Sequence, residues 1–204
     1  MNYLPRTIQP VIEEASKFFK IVMVSGMRQV GKSTLLKQLS SDKRTIISFD
    51  DINNLESAKN APLQFLQLNP PPCFFNQVQR VPEIFKALKI SVDSRSEKGL
   101  YWLSGSQKLS LMSQVSDALP GRLMNFELWP FSIYEIAGKG LEQKPYLPSF
   151  SLSSNLPILD PADTWNAVFQ GFWPELKKAT ETERSWFFRS LVDLYLSRDV
   201  RSLS

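Results

Sequence analysis

The stretch Gly26-Met27-Arg28-Gln29-Val30-Gly31-Lys32-Ser33-Thr34 decides the fold. Its spacing is G-x-x-x-x-G-K-S. The β-branched, apolar run Ile21-Val22-Met23-Val24 precedes it, and Leu35, Leu36 and Leu39 follow at helical spacing. Strand, tight loop and helix are the setting in which this spacing binds phosphate. Gly26 and Gly31 admit backbone angles that a side chain forbids. A loop so bent points successive N–H groups into one concavity, and a helix beginning near Lys32 adds the positive end of its dipole. Lys32 supplies a mobile cation for the β- and γ-phosphates, and Ser33 a hydroxyl suited to Mg²⁺, which prefers hard oxygen ligands. All nine residues from Gly26 to Thr34 are therefore candidate nucleotide-binding residues.

This is the Walker A pattern of P-loop NTPases, and the rest of the chain is compatible with it. The 204 residues are 43% apolar and 22% charged, as in an ordinary globular protein. The net charge of +4 suits ATP and nucleic acid equally. There is no histidine, so histidine catalysis and histidine-ligated metal sites are excluded. A single cysteine, Cys73, leaves no internal disulfide and suits a reducing cytoplasm. No apolar run reaches the ~18 residues of a membrane span, and the N-terminus lacks a signal-peptide core. The expectation is a cytoplasmic protein with no membrane partner.

The pattern along the chain predicts a helix from about Pro10 to Phe19 and a second strand over Thr45–Phe49, ending in Asp50-Asp51. A polar stretch and a short helix around Leu63–Leu68 follow, stopped by Pro70-Pro71-Pro72. Cys73-Phe74-Phe75 reads as a third strand leading to Asn76-Gln77. A helix opens at Pro82, Leu100–Leu103 is a fourth strand, and Leu109–Val115 suits another helix. Arg122–Leu128 alternates as a fifth strand. Strands separated by helices imply crossovers and a parallel sheet covered on both faces, with ligands beyond the carboxyl ends of the strands. That edge collects the phosphate loop, Asp50-Asp51, Asn76-Gln77 and Ser104–Gln107. After about residue 130 the character changes. Phe131–Ala137 reads as a short helix, 138–160 as a long connection, and Ala162–Phe169 and Glu183–Arg201 as helices. The last carries apolar residues over so much of its girth that it wants partners on more than one side. Trp102, Trp173 and Trp186 read as packing residues.

The linked set GMRQVGKSTLL, QRVPEIFKALK, YWLSGSQKLSLM, ALPGR, WPFSIYE, GFWPE and YLSRDVRSL resembles a prokaryotic family of AAA-type P-loop ATPases whose nucleotide domain precedes a C-terminal domain of unknown function. The resemblance implies an α/β fold, a P-loop NTPase three-layer sandwich around a central parallel sheet. It implies the AAA strand order, with the P-loop strand flanked by the fourth and fifth strands. It also implies a nucleotide-binding domain over 1–130 and the truncated start of a helical C-terminal domain over 131–204, with ATP and Mg²⁺ as ligands.

One position departs from the family. The third strand there ends in Asp-Glu, where this chain has Asn76-Gln77. The Asp ordinarily holds Mg²⁺ through water, and the Glu polarises the attacking water. Asn76 keeps an acceptor without the charge, and a charge-assisted hydrogen bond is worth ~1.5–3 kcal/mol against about 1 for a neutral one. Gln77 has no basicity near neutral pH, where a positioned acid–base group contributes ~10²–10⁴-fold. The expectation is weakened Mg-ATP binding through Ser33 and Asn76, and hydrolysis that falls much further. Lys32, the degenerate Asn76 and Gln77, Gln107 and Arg122 are the candidate catalytic set. By resemblance Ser106 or Gln107 senses the γ-phosphate, while Ser106 equally suits a helix N-cap. Arg122 reads as an arginine finger or as a solvated charge at the start of the fifth strand. Alternatives left open are an active ATPase using Asp50 or Asp51, and a nucleic-acid-binding module, for which no Lys/Arg tract or aromatic motif speaks. The helical segment after residue 130 is the candidate surface for self-association or a protein partner.

Overall fold

Short runs of β-branched and aromatic residues form five strands: β1 Ile21–Ser25, β2 Thr45–Ser48, β3 Cys73–Asn76, β4 Tyr101–Ser104 and β5 Leu123–Glu127. The computed structural model describes residues 3–40, 43–106, 115, 118–142 and 160–194. All strand pairs are parallel, in the order β2-β3-β4-β1-β5. The strand before the phosphate loop thus lies between β4 and β5, the AAA order implied by the sequence motifs.

Side chains alternate across a strand, so the register sorts them into two faces. Ile21, Met23, Ile47, Phe75, Tyr101 and Leu103 pack in one core with residues of α3 Ile52–Asn60, α4 Pro62–Leu68 and α5 Ile84–Asp93. Phe75 sits at its centre, with its ring centroid 5.7 Å from Phe49, 5.9 Å from Phe65 and 5.6 Å from Tyr101. On the opposite face Val22, Val24, Phe74 and Trp102 pack with Ile12 of α1 Gln9–Phe18 and Leu35 and Leu36 of α2 Lys32–Ser40. This is the three-layer sandwich.

The last register row at the carboxyl edge runs Ser48, Asn76, Ser104, Val24. By alternation its side chains share the face of Phe74 and Trp102, on which α2 lies. That places Asn76 under the first turn of α2, where Ser33 is.

Beyond the sheet come α6 Ile133–Ile136, α7 Pro161–Gln170 and α8 Glu181–Leu194, with 3₁₀ turns at Gly140–Glu142 and Pro174–Lys178. Ser132 caps α6 reciprocally with Glu135. No described helix is long and apolar enough to cross a membrane.

Two expectations differ from what is found. The polar stretch after Asp51 is a helix, α3: Asp51 caps it by accepting the N–H of Asn53, and only Leu55 and Ala58 are buried, too narrow a stripe to show as periodicity. Trp186 is 66% exposed rather than packed, while Trp102 is buried. The expected helix over Leu109–Val115 lies outside the described residues apart from Val115, which is in the core. The last residues of the expected helix Glu183–Arg201 also lie outside them.

Candidate functional site

The loop from Gly26 to Gly31 leaves β1 and enters α2 at Lys32. Its backbone takes φ of +141° at Gly26, +62° at Gln29 and +94° at Gly31. At Gly26 a Cβ would lie 2.3 Å from the carbonyl oxygen of Leu128, so glycine is required there on both conformational and steric grounds. Met27 and Thr34 are exposed, Arg28 is half-buried, and Val30 is fully buried.

The Lys32 ammonium donates to the carbonyls of Gly26, at 2.9 Å, and Met27. Burial, and then the charge of Arg28, push its pKa down to about 8. Two cations therefore stand at the loop.

Asn76 faces the loop from β3. Its Oδ1 accepts the Ser33 hydroxyl at 2.5 Å and the Ser104 hydroxyl at 2.7 Å. Its Nδ2 donates to Ser48 Oγ at 3.2 Å. The assignment of oxygen and nitrogen follows from this network. Ser48 Oγ in turn lies 3.4 Å from Asp50 Oδ2. Asp50 itself is half of an ion pair with Arg80 at 2.8 Å. Asp51 is engaged as the N-cap of α3.

Gln77 follows at φ +65°, and its Oε1 accepts from Gln79 Nε2 at 2.6 Å. Gln79 Oε1 accepts the backbone N–H of Ser106 at 3.3 Å, tying this turn to the end of β4. Gln107 lies outside the described residues. Arg122 sits at the opposite edge of the sheet: its carbonyl accepts from Ile21, the first residue of β1. Its guanidinium pairs with Asp93, with Nη2 3.1 Å from Oδ2. Within one chain it is therefore not brought to the phosphate loop.

Arg6 and Trp173 grip the loop from behind, with Glu135 pairing to Arg6; the sequence singles out neither Arg6 nor Glu135, and Trp173 reads there only as a packing residue. Arg6, 3% exposed, donates from Nη1 to the Val30 carbonyl at 2.9 Å and from Nη2 to that of Trp129 at 2.6 Å. Its Nε lies 3.1 Å from Glu135 Oε1, an ion pair too bent for a hydrogen bond. Glu135 also accepts the N–H groups of Thr7 and Ser132, each at 2.8 Å. The Trp173 indole N–H donates to the Arg28 carbonyl at 3.2 Å. The Ser132-x-x-Glu135 capping spacing was legible in sequence; nothing local marked Arg6.

A model of the AAA domain matches residues 18–137. The chain belongs to the AAA-domain family. The AAA domain is a nucleotide-binding, P-loop ATPase-like domain. Uncharacterized proteins of Mycobacterium bovis and Mycobacterium tuberculosis are each 27% identical over 141 residues, covering 66% of this chain and 32% of theirs. The match thus spans about a third of the length of these curated relatives.

The family pairs its nucleotide with Mg²⁺, which is typically held by one or two carboxylates besides the phosphates. Here the donor set does not fit that ion. Ser33 offers a hydroxyl. Asn76 is neutral, both acceptor directions of its Oδ1 are taken by hydroxyls, and its remaining polar atom is a donor. Asp50 is reached only through Ser48 and is committed to Arg80. Among the described residues no cluster of three acidic or thiol side chains could hold a metal.

Proposed function

We propose that this AAA-domain chain binds ATP on the loop Gly26–Thr34 and hydrolyses it weakly or not at all. The observation that carries the reading is Asn76, an amide on the strand end beneath Ser33 where a metal-holding carboxylate is the rule. Gln77 beside it supplies no base. Membership of the family supports nucleotide as the ligand class; ATP over other nucleotides rests on the family resemblance. A nucleotide domain over 1–130, followed by a helical segment over 131–204 that offers a surface to another copy or a partner, is the organisation this reading implies.

The test is a fluorescent-ATP titration paired with a sensitive phosphate-release assay. Saturable binding lost in Lys32→Ala supports the proposal. So does turnover that is negligible in the natural sequence and rises in the Asn76→Asp, Gln77→Glu double variant. ATPase-like turnover abolished by Asp50→Asn would instead identify Asp50 as a substitute carboxylate. The Asp50–Ser48–Asn76 hydrogen-bond chain is what keeps that second reading in play.

A further inference from the structure

We infer that this site takes the metal-free nucleoside triphosphate at least as well as the magnesium complex, so that binding requires no divalent cation. The inference rests on the nucleotide-binding reading and sharpens the identity of the ligand.

The argument is one of charge. A free triphosphate carries about two more negative charges than its magnesium complex, and the site must supply the balance. On the protein side the loop presents Lys32, Arg28, its converging N–H groups and the N-terminal end of α2. The facing wall presents hydroxyls and an amide, Ser48, Asn76 and Ser104, with the amide Gln77 next along the chain. Two carboxylates at Asn76 and Gln77 would repel a free triphosphate and attract its metal. Their absence removes both effects, and the cationic loop then favours the more anionic ligand.

The hydrogen-bond network shows that the amide is accommodated by the fold. A carboxylate at position 76 could only accept. The amide also donates, and the Ser48 hydroxyl receives its N–H while handing its own proton towards Asp50. Asp50 is balanced by Arg80, so the chain ends in a neutral pair and leaves no free anion to recruit a cation. Every polar atom of the buried Asn76 side chain is thereby satisfied without metal.

The experiment is a titration of the full chain with a fluorescent ATP analogue at constant ionic strength, once in excess magnesium and once in excess EDTA. Equal or tighter binding in EDTA is expected. Asn76→Asp is expected to move the EDTA-to-magnesium affinity ratio towards magnesium by about tenfold, the scale of exchanging a neutral for a charge-assisted hydrogen bond. Saturable binding that needs magnesium would overturn the inference and leave the nucleotide reading standing. Absence of binding in both conditions would refute the nucleotide reading and the inference with it.

Discussion

Arg6 Nη1 donates to the carbonyl of Val30 across 24 residues of sequence at 2.9 Å, and so ties the segment before α1 to the inside of the phosphate loop. The same guanidinium reaches the carbonyl of Trp129, pairs with Glu135 and lies 4.5 Å from the Phe131 ring centroid. Both side chains of the ion pair are almost fully covered, at 4% and 7% exposure. A buried pair of this kind is weak evidence of net stabilisation, yet breaking it is costly, because one charge is left without a partner.

Arg6→Ala is therefore expected to cost ~3–5 kcal/mol, seen as a fall in Tm of roughly 6–20 °C. Arg6→Lys should recover little, since an ammonium lacks the fork that serves Val30, Trp129 and Glu135 together. A Tm for Arg6→Ala within a degree or two of the parent would show that the pair is not a structural tie.

Trp173 makes the second tie, and Trp173→Phe isolates it. The ring contacts with Phe187 at 6.1 Å and Phe188 at 5.8 Å have a counterpart in phenylalanine, whereas the N–H to the Arg28 carbonyl does not. The loss is expected to be ~0.5–1.5 kcal/mol. Because Arg28 belongs to the loop, nucleotide affinity should fall by roughly two- to tenfold as well. Chemical denaturation and a nucleotide titration on one preparation read both effects. Unchanged affinity with lowered stability would confine Trp173 to packing.

The parts of this molecule that could be read from sequence are those whose cause is local. Gly26 to Thr34 announces itself because backbone angle, charge and hydroxyl all fall within nine residues. The buried strands β1, β3 and β4 are continuous apolar runs, and the family motifs supply their order. What stayed hidden depends on distant partners. The polar helix α3 has only Leu55 and Ala58 inward, and its stop and start come from tertiary packing and the Asp51 cap. Arg6 looks like any surface arginine until the fold brings Val30, Trp129 and Glu135 around it. Arg122 gained a candidate role from motif analogy, and only the sheet direction shows that it leaves from the amino-terminal edge beside Asp93.

Lys32 should make binding sensitive to alkaline pH. Its pKa is lowered from 10.5 to about 8 by burial and then by Arg28. Between those values the unfolded chain binds more protons than the folded one, so this group raises stability as pH climbs through the window. Phosphate oxygens around the ammonium favour its charged form, so binding above about pH 8 must take up a proton. Affinity for nucleotide is expected to decline through that range, approaching a tenfold loss per pH unit. Calorimetric titration in two buffers of different ionisation enthalpy measures the proton uptake directly. Affinity that stays flat from about pH 7 to about pH 10 would contradict the assignment of Lys32 as the phosphate cation.

Gly26 and Gly121 provide a matched pair for testing what the loop geometry requires. Both have positive φ, +141° and +71°. At Gly121 an added Cβ meets nothing within 4 Å, so Gly121→Ala bears only the conformational penalty, about 1 kcal/mol. At Gly26 the Cβ would also fall 2.3 Å from the Leu128 carbonyl oxygen. That backbone cannot easily retreat, because the Leu128 N–H is bonded to the Ser25 carbonyl at 2.8 Å. The displacement must be taken by the loop, whose Gly26 carbonyl also receives Lys32. Gly26→Ala is therefore expected to lose roughly 2–3 kcal/mol and nearly all nucleotide affinity, whereas Gly121→Ala, at the opposite edge of the sheet, should bind as the parent does. Equal effects of the two substitutions on nucleotide binding would mean that the backbone path between β1 and α2 does not shape the phosphate site.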